Sequence, residues 1–136
     1  MDNVYQAEVV ALGEDIEEEV VLSIQGIRLT CFAGVCPYKI KKGKTYPVSL
    51  GLMVFGDYDI EAVEETTPGL TRRGRGFAYE LRGWLRGDAL DAGIVFRDDV
   101  FLSQCGYLDG RFVSMKVDRI DAEFLQPDSS GGAGDQ

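Results

Sequence analysis

Apolar and polar positions alternate with a period of two along most of this chain, the signature of half-buried β-strands. The alternation starts imperfectly at Val4 and carries a first strand to Leu12, where Gly13-Glu14-Asp15 reads as a turn. Glu17–Ser23 resumes it, with Val20, Val21, Leu22 and Ile24 supplying β-branched and apolar bulk. Gln25-Gly26 then reverses the chain into Ile27–Phe32, a predicted hairpin. After a bend over 33–37 and the polar turn Lys41–Lys44, Tyr46, Val48, Leu50 and Leu52 share one face of the next strand. Pro47 cannot donate to a ladder, so this strand is expected at an edge or after a bulge. Residues 57–65 fit two patterns: Ile60 with Val63 has helical spacing, Ile60 with Ala62 strand spacing.

An irregular loop from Thr66 to Gly76 leads into a strand over Phe77–Arg82, which Gly83 is expected to bend before Trp84. Ile94–Phe96 and a short element at Val100–Leu102 follow, and Leu108-Asp109-Gly110-Arg111 reads as a hairpin turn. The last strand is the best patterned. Val113, Met115 and Val117 point one way, then Ile120, Ala122 and Phe124, with the parity broken at Asp118-Arg119 as a β-bulge would break it. Helical periodicity with caps is absent from every long stretch. Seven or eight short strands between Gly-containing turns predict an all-β fold: a small antiparallel β-barrel, OB-like or similarly closed, with Gly26, Gly51 and Gly83 at its corners. Residues 1–126 are expected to form a single β domain, and 127–136, rich in Ser and Gly, a disordered, flexible tail.

Composition then narrows the chemistry. With 45% hydrophobic and 27% charged residues in 136, the chain has the balance of a globular protein that folds without metal or disulfides. Histidine is absent, which removes the commonest general base and the commonest metal ligand. Nucleophile elbow, Walker loop, dinucleotide fingerprint and calcium loop are absent too. A non-enzymatic protein without catalytic residues, cofactor or metal is therefore expected. A histidine-free enzyme would instead need two carboxylates converging in a cleft, roughly 5–10 Å apart. Cys31, Cys36 and Cys105 follow no apolar leader, and no apolar run is long enough to span a bilayer, so reduced thiols in a cytoplasmic protein are expected. Three thiols without an imidazole do not complete a zinc site. Cys31 and Cys36 read as small half-buried hydrophobes rather than as a disulfide or ligand pair.

Charge changes the picture further. The net charge is −9, and it is uneven: residues 1–66 hold 5 Lys/Arg against 12 Asp/Glu, residues 67–136 hold 9 against 11. Such a field disfavours nucleic acid and steers basic partners. Glu17, Glu18 and Glu19 are the candidate contacts for a basic protein, as an inhibitor, an immunity protein or an adaptor would make them. Further acids cluster at Asp57, Asp59, Glu61, Glu64 and Glu65, where a solvated face is expected. Against this trend, Thr71–Gly76 sets Arg72, Arg73 and Arg75 among two glycines. Guanidinium forks on such a loop match phosphate oxygens. Beside Phe77, Tyr79 and Trp84 they would form a lip for single-stranded nucleic acid or a nucleotide, the alternative reading.

Overall fold

A computed structural model describes residues 4–126; the tail expected over 127–136 lies outside the described residues. Eleven strands carry the fold: β1 (Val4–Leu12), β2 (Glu19–Ile24), β3 (Ile27–Val35), β4 (Thr45–Met53), β5 (Asp59–Ala62), β6 (Gly69–Arg72), β7 (Tyr79–Arg86), β8 (Ala89–Asp91), β9 (Val95–Arg97), β10 (Phe112–Val117) and β11 (Arg119–Phe124). A one-turn helix α1 (Val100–Ser103) and a 3-10 turn (Gly106–Leu108) lie between β9 and β10. The chain is therefore nearly all β, as its period of two requires, with more and shorter strands than the seven or eight expected.

The strands form two sheets. In the first, β1 pairs with β2, β2 with β3, β3 with β11, β11 with β4 and β4 with β1, so the pairing returns to its start. Only β3 and β11 run parallel. The second sheet has the order β5-β10-β7-β8-β9, with β6 also against β7. Its strands all come from the chain between β4 and β11.

Three expectations change here for stated reasons. Pro47 is not in an edge strand, because β4 is flanked by β1 and β11. Its carbonyl accepts the Leu125 N–H at 2.9 Å, and the Leu125 carbonyl opposite its missing donor is taken by the Tyr38 hydroxyl at 2.6 Å, so no acceptor is left unpaired. The best-patterned strand is two strands: β10 belongs to the second sheet and β11 to the first, and Asp118 is the crossing point between them. Asp109-Gly110 follows the 3-10 turn rather than a strand, so it opens β10 without closing a hairpin, and Val100–Leu102 is helical.

The hairpin of β2 and β3 is as expected. Gln25 and Gly26 take φ of 54° and 82°, the paired positive values that a two-residue turn between twisted strands requires. Gly83 does not bend its strand. It faces inward on β7, where an added Cβ would lie 2.1 Å from the Asp91 carbonyl oxygen, so its lack of a side chain admits the chain leaving β8. Gly51, by contrast, faces open space.

Inward residues of both sheets make one buried cluster, from Ala7, Val9, Leu22, Leu29 and Ile120 in the first to Leu81, Leu85, Phe96 and Met115 in the second. Two tyrosine hydroxyls tie the sheets together. Tyr79 accepts the Thr30 N–H at 2.7 Å, while Tyr5 accepts the Val95 N–H at 2.9 Å and donates to the Val95 carbonyl at 3.1 Å.

Gly83→Ala is expected to lower stability by about 3 kcal/mol, the upper range for overpacking, because backbone must shift to admit it. Gly51→Ala should be near neutral by the same denaturant titration. Equal losses at the two sites would contradict this packing.

Candidate functional site

A cleft of about 530 Å³ lies on the first sheet. Its lining is acidic at Glu17 and Glu18 of the β1–β2 connection and at Glu19 of β2, apolar at Val20 and Ala33, and is completed by Cys36, Tyr38, Lys39 and Ile40. Its acidic part is fixed by the backbone. Gly13 donates its N–H to the Glu19 carbonyl at 2.8 Å, Glu19 to Ile16 at 3.1 Å and Ala33 to Glu18 at 2.7 Å. The 36–40 segment is pinned by Tyr38, whose hydroxyl donates to the Leu125 carbonyl at 2.6 Å and whose ring lies 5.6 Å from that of Tyr46. The sequence-predicted triplet Glu17–Glu19 is thus brought to a concave site. Glu17 and Glu18 are exposed and Glu19 half-buried, and none has an ion-pair partner among the described residues.

The three arginines do not act alike. Thr71–Gly76 is not wholly irregular: β6 ends at Arg72, and the Arg73 N–H donates to the Ala78 carbonyl at 2.8 Å, so the segment closes a β6–β7 hairpin. Arg72 is spent on that closure, its Nε donating to the Gly76 carbonyl at 2.9 Å and its Nη2 to that of Arg75 at 2.7 Å. Arg73 and Arg75 remain exposed, their side chains unpartnered among the described residues. Of the aromatics expected beside them, Tyr79 is buried as a tether and Trp84 packs edge-on against Phe112 at 5.2 Å, under the Arg86 guanidinium. Only Phe77 adjoins the loop, and its ring meets Phe32 edge-on at 5.6 Å.

Phe32 belongs to a group that sequence reasoning misses. The Arg119 guanidinium lies 4.0 Å from the Phe32 ring centre and 5.5 Å from that of Phe55, and Arg119 Nε bonds Asp121 at 2.6 Å. Phe32, Arg119 and Asp121 border a groove of about 510 Å³ over β3, β11 and β4, with Gly34, Ser49 and Gly51 along it. Phe55 is 68% exposed although its N–H is held by the Asp118 carboxylate at 2.6 Å. The available signal was one aromatic residue inside the turn Val54-Phe55-Gly56-Asp57; nothing local connects it to Arg119.

Cys31 and Cys105 are buried and Cys36 exposed, all as free thiols. Burial pushes the Cys31 thiol well above its ordinary range, with the Asp121 charge adding to it; burial and then Asp98 raise Cys105. Among the described residues no group of three or more His, Cys, Asp or Glu could hold a metal ion. No helix among them is long and apolar enough to cross a membrane.

Residues 3–125 match the family described as uncharacterised conserved protein UCP019853. The chain belongs to that family. The UCP019853 match takes in every strand of both sheets, so the acidic cleft, the arginine hairpin and the Phe32–Arg119 group all lie within the family's unit. No curated protein and no solved structure matches the chain.

A thiol reagent at neutral pH should titrate one equivalent, Cys36, in the native protein and three after denaturation. Cys31 and Cys105 keep their protons in the folded state above the pH, about 8.5, at which unfolded thiols ionise. Stability should therefore fall as pH rises beyond that value. Fast native modification of all three thiols would contradict the burial.

Proposed function

We propose that this protein is a non-enzymatic cytoplasmic binding module whose Glu17–Glu19 cleft takes a basic segment of a protein partner, in the manner of an inhibitor, an immunity protein or an adaptor. The observation that carries the reading is that three consecutive glutamates line one cleft together with the apolar Val20 and Ala33. Such a lining suits a Lys or Arg side chain, whose methylene stem packs on the apolar residues while its charge meets a carboxylate. Lys39 in the same lining orients such a segment, since its positive charge repels a basic group placed beside it. The net charge of −9 adds a steering field, which speeds encounter with a cationic partner.

A second reading rests on strand order. Five strands paired β1-β2-β3-β11-β4 and back to β1 support an OB-like barrel, with the second sheet inserted between its last two strands in sequence. Barrels of that kind bind oligonucleotides across their second and third strands and the neighbouring loops. Arg73, Arg75 and Phe77 are the residues that would do so here, with Arg72 shaping the loop. The acidic balance and the presence of only two unpartnered guanidinium groups on that hairpin favour the protein partner.

Recovery of partners by the tagged protein, with and without nuclease treatment, separates the readings. A basic protein retained in both arms is expected. Changing Glu17, Glu18 and Glu19 together to Lys should then weaken that complex by roughly 100-fold or more, since juxtaposed like charges cost several kcal/mol. Thermal stability should change by only about 0.5 kcal/mol. Unaltered affinity would remove the cleft from the account, and loss of recovery after nuclease treatment would transfer the role to the arginine hairpin.

A further inference from the structure

The second sheet ends in an unpaired edge. β5 pairs with β10 through Asp59↔Lys116, Ile60↔Met115, Glu61↔Ser114 and Ala62↔Val113, and among the described residues no strand lies on its other side. The Val63 N–H donates to the Phe112 carbonyl at 3.0 Å, which fixes the parity: 59, 61 and 63 bond toward β10. The N–H and C=O of Ile60 and Ala62 therefore point to the open edge, available to a further strand.

Next to this strand lies a cleft of about 370 Å³ lined by Gly56, Asp57, Tyr58 and Ile60 together with Gln104, Cys105 and Tyr107. Tyr107 is 74% exposed and Tyr58 41%. Two tyrosines facing one cleft resemble the composition of interface cores, where rings supply contact area at low entropic cost. Within β5, Ile60 and Ala62 are in phase on the half-buried side and Asp59 and Glu61 on the exposed side, while Asp57 and Tyr58, which precede the strand, both line the cleft. Asp57 and Glu61 have no ion pair among the described residues, and Asp59 has only Lys116 at 3.7 Å.

We propose that the β5 edge and the Tyr58–Tyr107 cleft together dock an extended segment of another protein by strand addition, the segment alternating Lys or Arg with apolar side chains. Backbone groups of Ile60 and Ala62 supply the ladder, the cleft receives one end of the segment between the Tyr58 and Tyr107 rings with Asp57 beside it, and Asp59 and Glu61 meet the basic side chains along the strand. A second copy of this chain is the wrong occupant, because pairing two β5 edges would bring these acids face to face. The surface is separate from the Glu17–Glu19 cleft, with which it shares no residue, and stands without it.

The probe is the peptide Lys-Val-Lys-Val-Lys-Val-Lys, capped at both ends, titrated to millimolar concentration into the whole protein labelled with nitrogen-15; the same peptide with Glu for Lys is the control. Expected are amide shifts at 59–62 and changes at Tyr58 and Tyr107 with the basic peptide alone. Ala62→Pro, which removes an outward N–H and leaves the β10 ladder intact, should abolish them. Tyr107→Ala, on an exposed side chain, and Glu61→Lys should each weaken them by about fivefold. The Glu17, Glu18, Glu19 to Lys variant should leave them unchanged, so the two surfaces fail separately. No shift at β5, shifts confined to Val20, Ala33 and Ile40, equal response to the acidic peptide, or persistence in both Ala62→Pro and Tyr107→Ala would overturn the proposal.

Discussion

The chain crosses between its two sheets at residues 54–58 and again at Asp118, and the two crossings are fastened to each other. The Asp118 N–H donates to the Met53 carbonyl at 2.9 Å and its carboxylate accepts the Phe55 N–H at 2.6 Å. On one side of that joint β4 pairs with β11, and on the other β5 pairs with β10. One two-stranded ribbon therefore belongs to both sheets, and its fold line sets their relative position. The tethers from Tyr79 to Thr30 and from Tyr5 to Val95 are satisfied only at that setting. The exposed ring of Phe55 and the stacked guanidinium of Arg119 are direct consequences, since both residues flank the joint.

The same joint explains which parts of the fold were legible in the sequence. Local signals were sufficient where the partner strand is next in the chain: Gln25-Gly26 announces the β2–β3 hairpin through the positive φ it must adopt, and the alternation of β7 and β10 is visible residue by residue. What could not be read is pairing at long range. The parity break at Asp118-Arg119 is real, yet one skipped residue looks alike whether a strand bulges within a sheet or passes to another. Pro47 misleads for a related reason. Its lost donor would face the Leu125 carbonyl, and the group that takes its place is the Tyr38 hydroxyl, an arrangement that no local pattern announces.

The candidate site was legible to the same degree. Three consecutive glutamates identify a charged surface, but their convergence on a cleft depends on the 36–40 segment, held by the Tyr38 hydroxyl on Leu125 from the far end of the chain. For the arginines, residue type was a poor guide to role. Arg72 looks the same as Arg73 and Arg75 in sequence, yet its two donors close on carbonyls of its own hairpin, which Gly74 permits by taking φ of 85°. The aromatic residues sort by a similar rule: Tyr79 and Trp84 are consumed by packing, whereas Phe55, Tyr58 and Tyr107 keep exposed rings.

That sorting bears on function through electrostatics. An acidic protein that also exposes aromatic rings meets two opposing demands, because a ring face attracts cations while apolar exposure invites self-association. Placing carboxylates beside the exposed rings answers both. The charge keeps like molecules apart and leaves each ring open to a cationic group, which is the physical ground of the proposed preference for basic partners. On the second sheet the arrangement is Asp57 beside Tyr58 and Tyr107 in one cleft, with Asp59 and Glu61 exposed on the adjoining strand. At the joint, Asp121 and Glu123 border the groove where Arg119 already occupies the space between the Phe32 and Phe55 rings. There the protein supplies its own cation, which stabilises the joint and leaves the acidic cleft and the β5 edge as the surfaces still open to a basic partner.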